Sequence, residues 1–247
     1  MTPKIKLGLT LFALGFLGVL SMLTVTVPLG ELPEEIAAMP PFVVKLLTLI
    51  NPTVFLVISV LVGTALYDKV NLSVPVISAL LNKECEHIKP VFVQQLKYGV
   101  SLGLLAGALC VLIAYVYGYF VADELKALEK DIELTLLARF LYGGITEELL
   151  LRFGVMTLII WIIAKLTKRL DNTAYWAAIV LSTVLFAVGH FPLAFSALSE
   201  PSALLLSYIL IGNTVAGLVF GWLYWKKGLE AAIIAHAFFH VSMVFLN

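Results

Sequence analysis

Two adjacent carboxylates and an arginine interrupt a long apolar run between about residues 140 and 164. Ionisable groups at membrane depth are costly, so they usually face a bundle interior or a wet cavity and mark a functional site. If the run is helical, Glu148 and Arg152 share one face in the order that favours an ion pair. Glu147 points about 100° away from Glu148 and lacks a partner in its own helix. This asymmetry makes Glu147 the candidate for chemistry.

Three of the four histidines also lie in apolar stretches. His236 and His240 are four residues apart and share one helix face, while His190 belongs to a different stretch. A carboxylate beside an imidazole can deprotonate a water molecule and return the proton to a leaving amine. Donors aimed at a developing oxyanion contribute about 10²–10³ in rate each. Glu147 and His190 suit the first task, whereas His236 and His240 suit the second.

The same residue types leave other interpretations open. Glu147, His190 and His236 could bind zinc, since His and carboxylate ligands with one open position describe a hydrolytic zinc site. Position 237 is alanine, so the HExxH metalloprotease motif is absent. A membrane histidine can also serve only as an interhelical hydrogen bonder, although a set of six ionisable residues makes that explanation weaker. His87 lies in a polar loop and is expected to be an ordinary surface residue.

The composition is that of a membrane protein. Hydrophobic residues make up 61% of the chain and charged residues 13%, against roughly 25% charged in globular domains. The net charge is zero, so no nucleic-acid partner is predicted. Cys85 and Cys110 offer no disulfide framework and are expected to be unpaired thiols. Lys4 and Lys6 precede an apolar run longer than a signal-peptide core of about 7–15 residues, which indicates a retained span.

Apolar runs of about 20 residues can cross a bilayer as helices. The sequence therefore predicts an all-α fold, a polytopic transmembrane helix bundle of seven to eight helices, forming one integral membrane domain over residues 1–247. The segment Leu72–Leu81, with Pro75, is too short to cross alone and is expected to be interfacial or re-entrant. The seven expected spans lie near residues 5–27, 42–67, 97–121, 135–164, 173–194, 203–225 and 228–246.

Loop charges predict the orientation in the membrane. Lysines and arginines concentrate on one side of a seven-span arrangement, so the N-terminus is expected to be cytoplasmic and Asn247 external. We expect a multi-pass protein of the cell membrane, with the lipid bilayer as its surroundings. Glu147 and His190 each lie 18 residues from the loop at 165–172, or about 27 Å at about 1.5 Å per residue. This similar depth favours their meeting, and it places the site in the outer half of the bilayer.

Three motifs carry a resemblance to a known family. They are Glu147-Glu148-x-x-x-Arg152, Phe186-x-x-x-His190 and His236-x-x-x-His240. In this order they resemble the motifs of the CAAX prenyl endopeptidase and bacteriocin-processing family of intramembrane proteases, over roughly residues 135–246. Members of that family are multi-span bundles, often with eight helices, that cut peptide bonds. Its prenyl-processing branch removes the last three residues after a prenylated cysteine.

The resemblance implies a role for each motif residue. Glu147 and His190 would activate the water, and His236, with the residue four positions further on, would stabilise the oxyanion. Glu148 and Arg152 would shape the site through their ion pair. The implied mechanism uses no metal cofactor, and the implied partner is a prenylated protein or peptide substrate. The last motif position is commonly asparagine in the prenyl-processing branch and is His240 here, which can still donate a hydrogen bond.

Further residues and rival functions complete the expectations. Phe186 could contact substrate in a lipid or peptide channel, and Asn213 could add a polar contact to the site, although either could simply pack or hydrogen bond between helices. A proton-coupled transporter or channel could use the same carboxylates and histidines as a relay. Against it, the sequence lacks the internal repeat and paired broken helices that transporters often show. A catalytically inert membrane scaffold or immunity factor is the third possibility.

Overall fold

The fold is all-α, as the sequence predicts. The computed structural model describes residues 1–26, 33–84, 86, 88–130 and 133–246, without the side chains of residues 37 and 129. Within these ranges the strand-like element is an isolated antiparallel bridge between Thr26 and Glu133. The α-helices are α1 (Pro3–Ser21), α2 (Glu34–Ala37), α3 (Pro41–Thr48), α4 (Ile50–Leu66), α5 (Pro75–Asn82), α6 (Ile88–Lys130), α7 (Leu136–Ala138), α8 (Thr157–Thr167), α9 (Asn172–Gly189), α10 (Phe191–Ala197), α11 (Ala203–Lys227) and α12 (Leu229–Leu246).

Seven stretches of the described chain are long and apolar enough to cross a membrane, which confirms the predicted seven spans. The protein is therefore an integral, multi-pass membrane protein. The third span starts at Ile88, earlier than the predicted residue 97, and α6 is kinked at Val121. The spans are Pro3–Thr24, Pro41–Val70, Ile88–Leu128, Leu136–Thr167, Asn172–Ala197, Ala203–Lys227 and Leu229–Leu246.

The short segment that was expected not to cross forms α5, which is only 8 residues long. Its first turn is held by a buried carboxylate from the last span. Glu230 Oε1 accepts hydrogen bonds from the backbone N–H groups of Val76 and Ile77, each at 2.9 Å. Gln95 Nε2 donates to Glu230 Oε2 at 3.2 Å and to the carbonyl of Lys227 at 2.7 Å. These bonds join α5, α6, α11 and α12 at one end of the bundle.

The fourth span departs from a regular α-helix, which sequence reasoning missed. Between α7 and α8 the chain winds as two π-helical segments, Arg139–Glu147 and Leu149–Met156. Two threonine side chains follow the wider turn, because Thr146 and Thr157 bond to carbonyls five residues earlier. π-Helical turns are uncommon and are frequently found at functional sites. The widened stretch contains both glutamates and the arginine of the first motif.

Small residues let neighbouring helices approach closely. Gly103 and Gly107 of α6 face the backbone carbonyls of Ala235 and Phe239 on α12. In α11, Gly217 faces Thr183 and Gly221 faces Ile179, both on α9. The α12 helix therefore lies between α6 and the rest of the bundle, which brings its histidines toward the fourth span.

Contacts at the basic end of the bundle agree with the predicted span order. Lys4 Nζ lies 2.8 Å from Asp68 Oδ1, which joins the start of the first span to the end of the second. The assignment of this end to the cytoplasm, and of the protein to the cell membrane, stays a prediction. Cys110 is a buried free thiol. Cys85, His87 and Asn247 lie outside the described residues.

Candidate active site

The position of Glu147 is set by the first span. Its neighbour Thr146 is fully buried and donates from Oγ1 to the carbonyl of Gly15 at 2.7 Å. The adjacent Gly18 leaves no room for a side chain, because a Cβ there would collide with Thr146 and with the carbonyl of Leu141. This close packing fixes the π-helical segment against α1 at the residue before Glu147.

Glu148 and Arg152 form the ion pair that the sequence predicts. Arg152 Nε lies 3.4 Å from Glu148 Oε2, and the two side chains are only 1% and 2% exposed. Isolated buried charges are costly, so each of these two groups depends on its partner. A Cβ at position 217 would lie 3.1 Å from Arg152 Nη2, which shows that Gly217 provides space for the guanidinium.

His236 lies between the two adjacent glutamates. Its Nδ1 is 2.9 Å from Glu148 Oε1, and its Nε2 is 3.8 Å from Glu147 Oε2. A carboxylate accepts hydrogen bonds, so His236 donates from Nδ1 to Glu148. The ring is held from both sides, since Phe220 stacks on it at 4.6 Å and His240 at 5.0 Å between centroids. The imidazole therefore presents Nε2 toward Glu147 in a fixed orientation.

The two glutamates differ in their access to solvent. The Glu147 side chain is 20% exposed, whereas that of Glu148 is 2% exposed. The 3.8 Å separation between Glu147 Oε2 and His236 Nε2 is too long for a hydrogen bond. A water molecule beside the two atoms can hydrogen bond to both. Glu147 is therefore the carboxylate that a water molecule can reach.

His240 packs against the helix that carries Glu147. A Cβ at position 143 would lie 2.6 Å from His240 Nε2, so Gly143 gives the imidazole its place one turn before Glu147. Both ring nitrogens of His240 are buried, and neither has a hydrogen-bond partner among the described residues. Unpaired buried polar groups are costly and call for an explanation in function. The ring is thus available to donate to a substrate group.

His190 lies at a break between α9 and α10. Pro192 cannot donate a backbone hydrogen bond, which interrupts the helix at this point. The His190 Nδ1 lies 2.9 Å from the carbonyl of Phe186, and a carbonyl only accepts, so Nδ1 is the donor in this hydrogen bond. The ring also meets Phe186 edge-on at 4.6 Å between centroids. His190 and Asn213 line a cavity of about 200 Å³, where Asn213 donates to the carbonyl of Ile209 at 2.8 Å.

Residues 131–242 match the family profile for type II CAAX prenyl endopeptidase, Rce1-like. This segment resembles a Rce1-like CAAX prenyl endopeptidase domain. Comparison with curated proteins and with solved structures gives no match. The family implies a CAAX-type intramembrane peptidase, and the buried Glu148–His236 pair is consistent with the active-site residues of the family.

The matched segment covers most of the last four membrane spans, close to the predicted motif core at residues 135–246. Within it, His236 of the third motif contacts Glu147 and Glu148 of the first motif. The second motif does not join this contact, and the Nδ1 of His190 donates to the carbonyl of Phe186. Sequence reasoning paired Glu147 with His190, and the structure places His236 nearest to Glu147.

The residues that position the side chains of the candidate site include several that the sequence did not indicate. Thr146, Gly143 and Phe220 position Glu147, His240 and His236 respectively. Position 143 follows an apolar segment as one of two adjacent glycines, which was the available signal for close approach. Among the described residues, no group of three His, Cys, Asp or Glu side chains is arranged to hold a metal ion. The zinc alternative, with Glu147, His190 and His236 as ligands, stays a prediction.

Proposed function

We propose that this protein is an intramembrane endopeptidase that processes prenylated protein C-termini, with Glu147 as the general base. The observation that carries the proposal is the position of His236, with Nδ1 at 2.9 Å from the buried Glu148 and Nε2 at 3.8 Å from Glu147. A water-accessible carboxylate opposite a fixed imidazole provides a proton acceptor and a hydrogen-bond donor on the two sides of one reacting centre.

In the first step, Glu147 takes a proton from a bound water. The water oxygen adds to the scissile carbonyl carbon, and the carbonyl oxygen becomes an oxyanion. His236, protonated on both nitrogens, donates from Nδ1 to Glu148 and from Nε2 to this oxyanion. Glu147 becomes neutral as the oxyanion forms. The His236 imidazolium therefore has one negative charge near its Nε2 both before and after the step. Arg152 balances Glu148 throughout.

In the second step, the tetrahedral intermediate collapses and the C–N bond breaks. Glu147 gives the proton it took from water to the leaving amine nitrogen. The new carboxyl group remains on the prenylated fragment, and the amine becomes the N-terminus of the released peptide. Glu147 returns to its ionised form, which closes the cycle without a covalent intermediate on the protein.

The two remaining histidines complete the site. His190 carries its lone pair on Nε2, so it can accept a hydrogen bond from the attacking water and orient it. His240 has no partner for either nitrogen among the described residues and stacks on His236. A neutral imidazole has one N–H, which suits a second hydrogen bond to the oxyanion. Phe186 and Asn213, next to His190, are the proposed substrate contacts.

Mass spectrometry of the products tests this function. Purified protein in detergent is incubated with a farnesylated peptide ending in a CAAX sequence, and with the same peptide lacking the farnesyl group. We expect a single cut that leaves the prenylated cysteine as the new C-terminus, with the unprenylated peptide processed poorly. Cleavage of neither peptide by folded protein, alongside proton-linked uptake in vesicles, would support the transporter alternative.

A further inference from the structure

A groove connects the cavity beside His190 to the end of the bundle where the fourth span begins. The cavity of about 200 Å³ and a second of about 620 Å³ share four lining residues, namely Leu128, Leu193, Tyr208 and Met243. The two cavities therefore form one continuous groove along α6, α10, α11 and α12. Its inner part reaches His190 and Asn213, and its outer part reaches Lys126 and Arg139.

The outer part of the groove carries positive charge. Lys126 is exposed on α6, and Arg139 is half-buried at the start of the first π-helical segment. Among the described residues, Arg139 donates a long hydrogen bond from Nε to the carbonyl of Leu134 at 3.4 Å. Glu124, on the same helix as Lys126, is already engaged, since its two oxygens accept from the backbone N–H and the hydroxyl of Ser202 at 3.0 and 2.6 Å.

The position of Arg139 relative to Glu147 also suits a short bound peptide. Arg139 lies on the same helical segment as Glu147, eight residues earlier, which is at most about 12 Å along the axis. The cysteine of a CAAX sequence is followed by three residues and then the chain end. Three extended residues span about 10 Å, which is comparable with this rise along the helix axis.

We propose that Arg139, assisted by Lys126, binds the free C-terminal carboxylate of the peptide substrate. A guanidinium forms two parallel hydrogen bonds with a carboxylate, which fixes direction as well as charge. The apolar lining of the groove strengthens this attraction by excluding water. Binding of the chain end at Arg139 would place the bond that precedes the last three residues at Glu147, so the groove would measure the length of the released peptide. This inference rests on the proposed endopeptidase function.

The test compares two farnesylated peptides of one sequence, one with a free C-terminal carboxylate and one with a C-terminal amide. We expect the wild type to cleave the free acid with a kcat/KM about tenfold or more above that of the amide, as for loss of a charged hydrogen bond. In Arg139→Gln, the preference for the free acid should disappear, so that the acid and the amide are cleaved with similar kcat/KM. Arg139→Lys should restore part of the preference.

Lys130→Gln is the matched control, because Lys130 is an exposed cation at the end of α6 and does not line the groove. It should retain the wild-type preference for the free acid. Equal cleavage of acid and amide by the wild type would overturn the carboxylate subsite while leaving the endopeptidase function intact. An Arg139→Gln effect that follows the content of anionic lipid, and is the same for both peptides, would assign Arg139 to a lipid headgroup instead. Failure of folded wild type to cleave either peptide would overturn the endopeptidase function itself.

Discussion

Glu147 and Glu148 are neighbours in the chain but have different surroundings. Glu148 is buried between Arg152 and His236, whereas the Glu147 side chain is 20% exposed and touches no cation within hydrogen-bond distance. Removal of one partner from a buried ion pair typically costs about 3–5 kcal/mol, because the other charge stays buried and unpaired. The two glutamates should therefore respond differently to the same substitution.

We predict that Glu147→Gln abolishes peptide cleavage with little change in thermal stability. Glu148→Gln should abolish cleavage and also lower the Tm by roughly 6–12 °C, which corresponds to about 3 kcal/mol in a chain of this size. Thermal unfolding in detergent, measured on both variants beside the wild type, checks this difference. An equal loss of stability in the two variants would contradict the assigned roles.

The adjacent glycines Gly143 and Gly144 provide a second pair of substitutions to compare. A Cβ at Gly143 would lie 2.6 Å from His240 Nε2, whereas a Cβ at Gly144 would meet its nearest neighbour, Ala237, at 3.6 Å. Gly143→Ala should displace His240 and lower kcat by up to about 10²–10³-fold, the range for one oxyanion donor. Gly144→Ala should retain near wild-type activity. Steady-state kinetics with one peptide substrate measures both, and equal activities would remove His240 from the site.

Most of the residues of the candidate site could be predicted from the sequence. Carboxylates, an arginine and histidines are costly at membrane depth, so their presence in apolar runs was itself informative. The Glu148–Arg152 pair followed from a spacing of four residues and is present. The pairing of Glu147 with His236 could not be predicted, because it depends on how α12 packs against the fourth span. Sequence spacing does not determine contacts between separate helices.

At the scale of single helices, the fourth span is the element that departs most from expectation. Apolar periodicity indicates a helix but does not distinguish an α-turn from a π-turn. The π-helical winding depends on tertiary contacts, including the bond from Thr146 to the Gly15 carbonyl on the first span. The motifs and the helices could therefore be predicted, whereas the local geometry that presents Glu147 could not.

The packing of α11 against Arg152 gives a prediction for a substitution in α11. A Cβ at Gly217 would lie 2.5 Å from Thr183 Cγ2 and 3.1 Å from Arg152 Nη2, while a Cβ at Gly212 has no neighbour within 4 Å. Gly217→Ala should lower the free energy of unfolding by about 1–3 kcal/mol through overpacking and reduce cleavage by shifting Arg152. Gly212→Ala, on the same helix, should leave both close to wild type. A stable, active Gly217→Ala protein would show that the guanidinium has freedom to move.

At the scale of the whole molecule, the first three spans lie outside the residues that match the family profile. They nevertheless hold the site, since α1 packs on the first π-helical segment and α6 packs along α12. The sequence predicted the number of spans because hydrophobic length is a local property. It did not predict which spans touch the catalytic helices, because that arrangement depends on side-chain packing across the bundle.

The buried Glu230 offers a test of this larger framework. Its carboxylate joins the start of α12 to the first turn of α5 and to Gln95 of α6. Glu230→Gln replaces charge-assisted hydrogen bonds, each worth about 1.5–3 kcal/mol, by weaker ones. We expect a lower Tm and a looser α5, seen as faster proteolysis near residues 75–82, with the Glu147-dependent chemistry still measurable at low temperature. Glu84→Gln, at an exposed site after α5, serves as the control.

The central claim is that Glu147 activates water for peptide hydrolysis. Its most direct test is cleavage of a farnesylated CAAX peptide by purified protein in detergent, comparing wild type, Glu147→Gln, and wild type with a strong chelator. The account predicts cleavage by the wild type, unchanged cleavage in the presence of chelator, and no detectable cleavage by a folded Glu147→Gln protein. Cleavage by Glu147→Gln at the wild-type rate would contradict it, and loss of wild-type activity with the chelator would favour a metal-dependent mechanism instead.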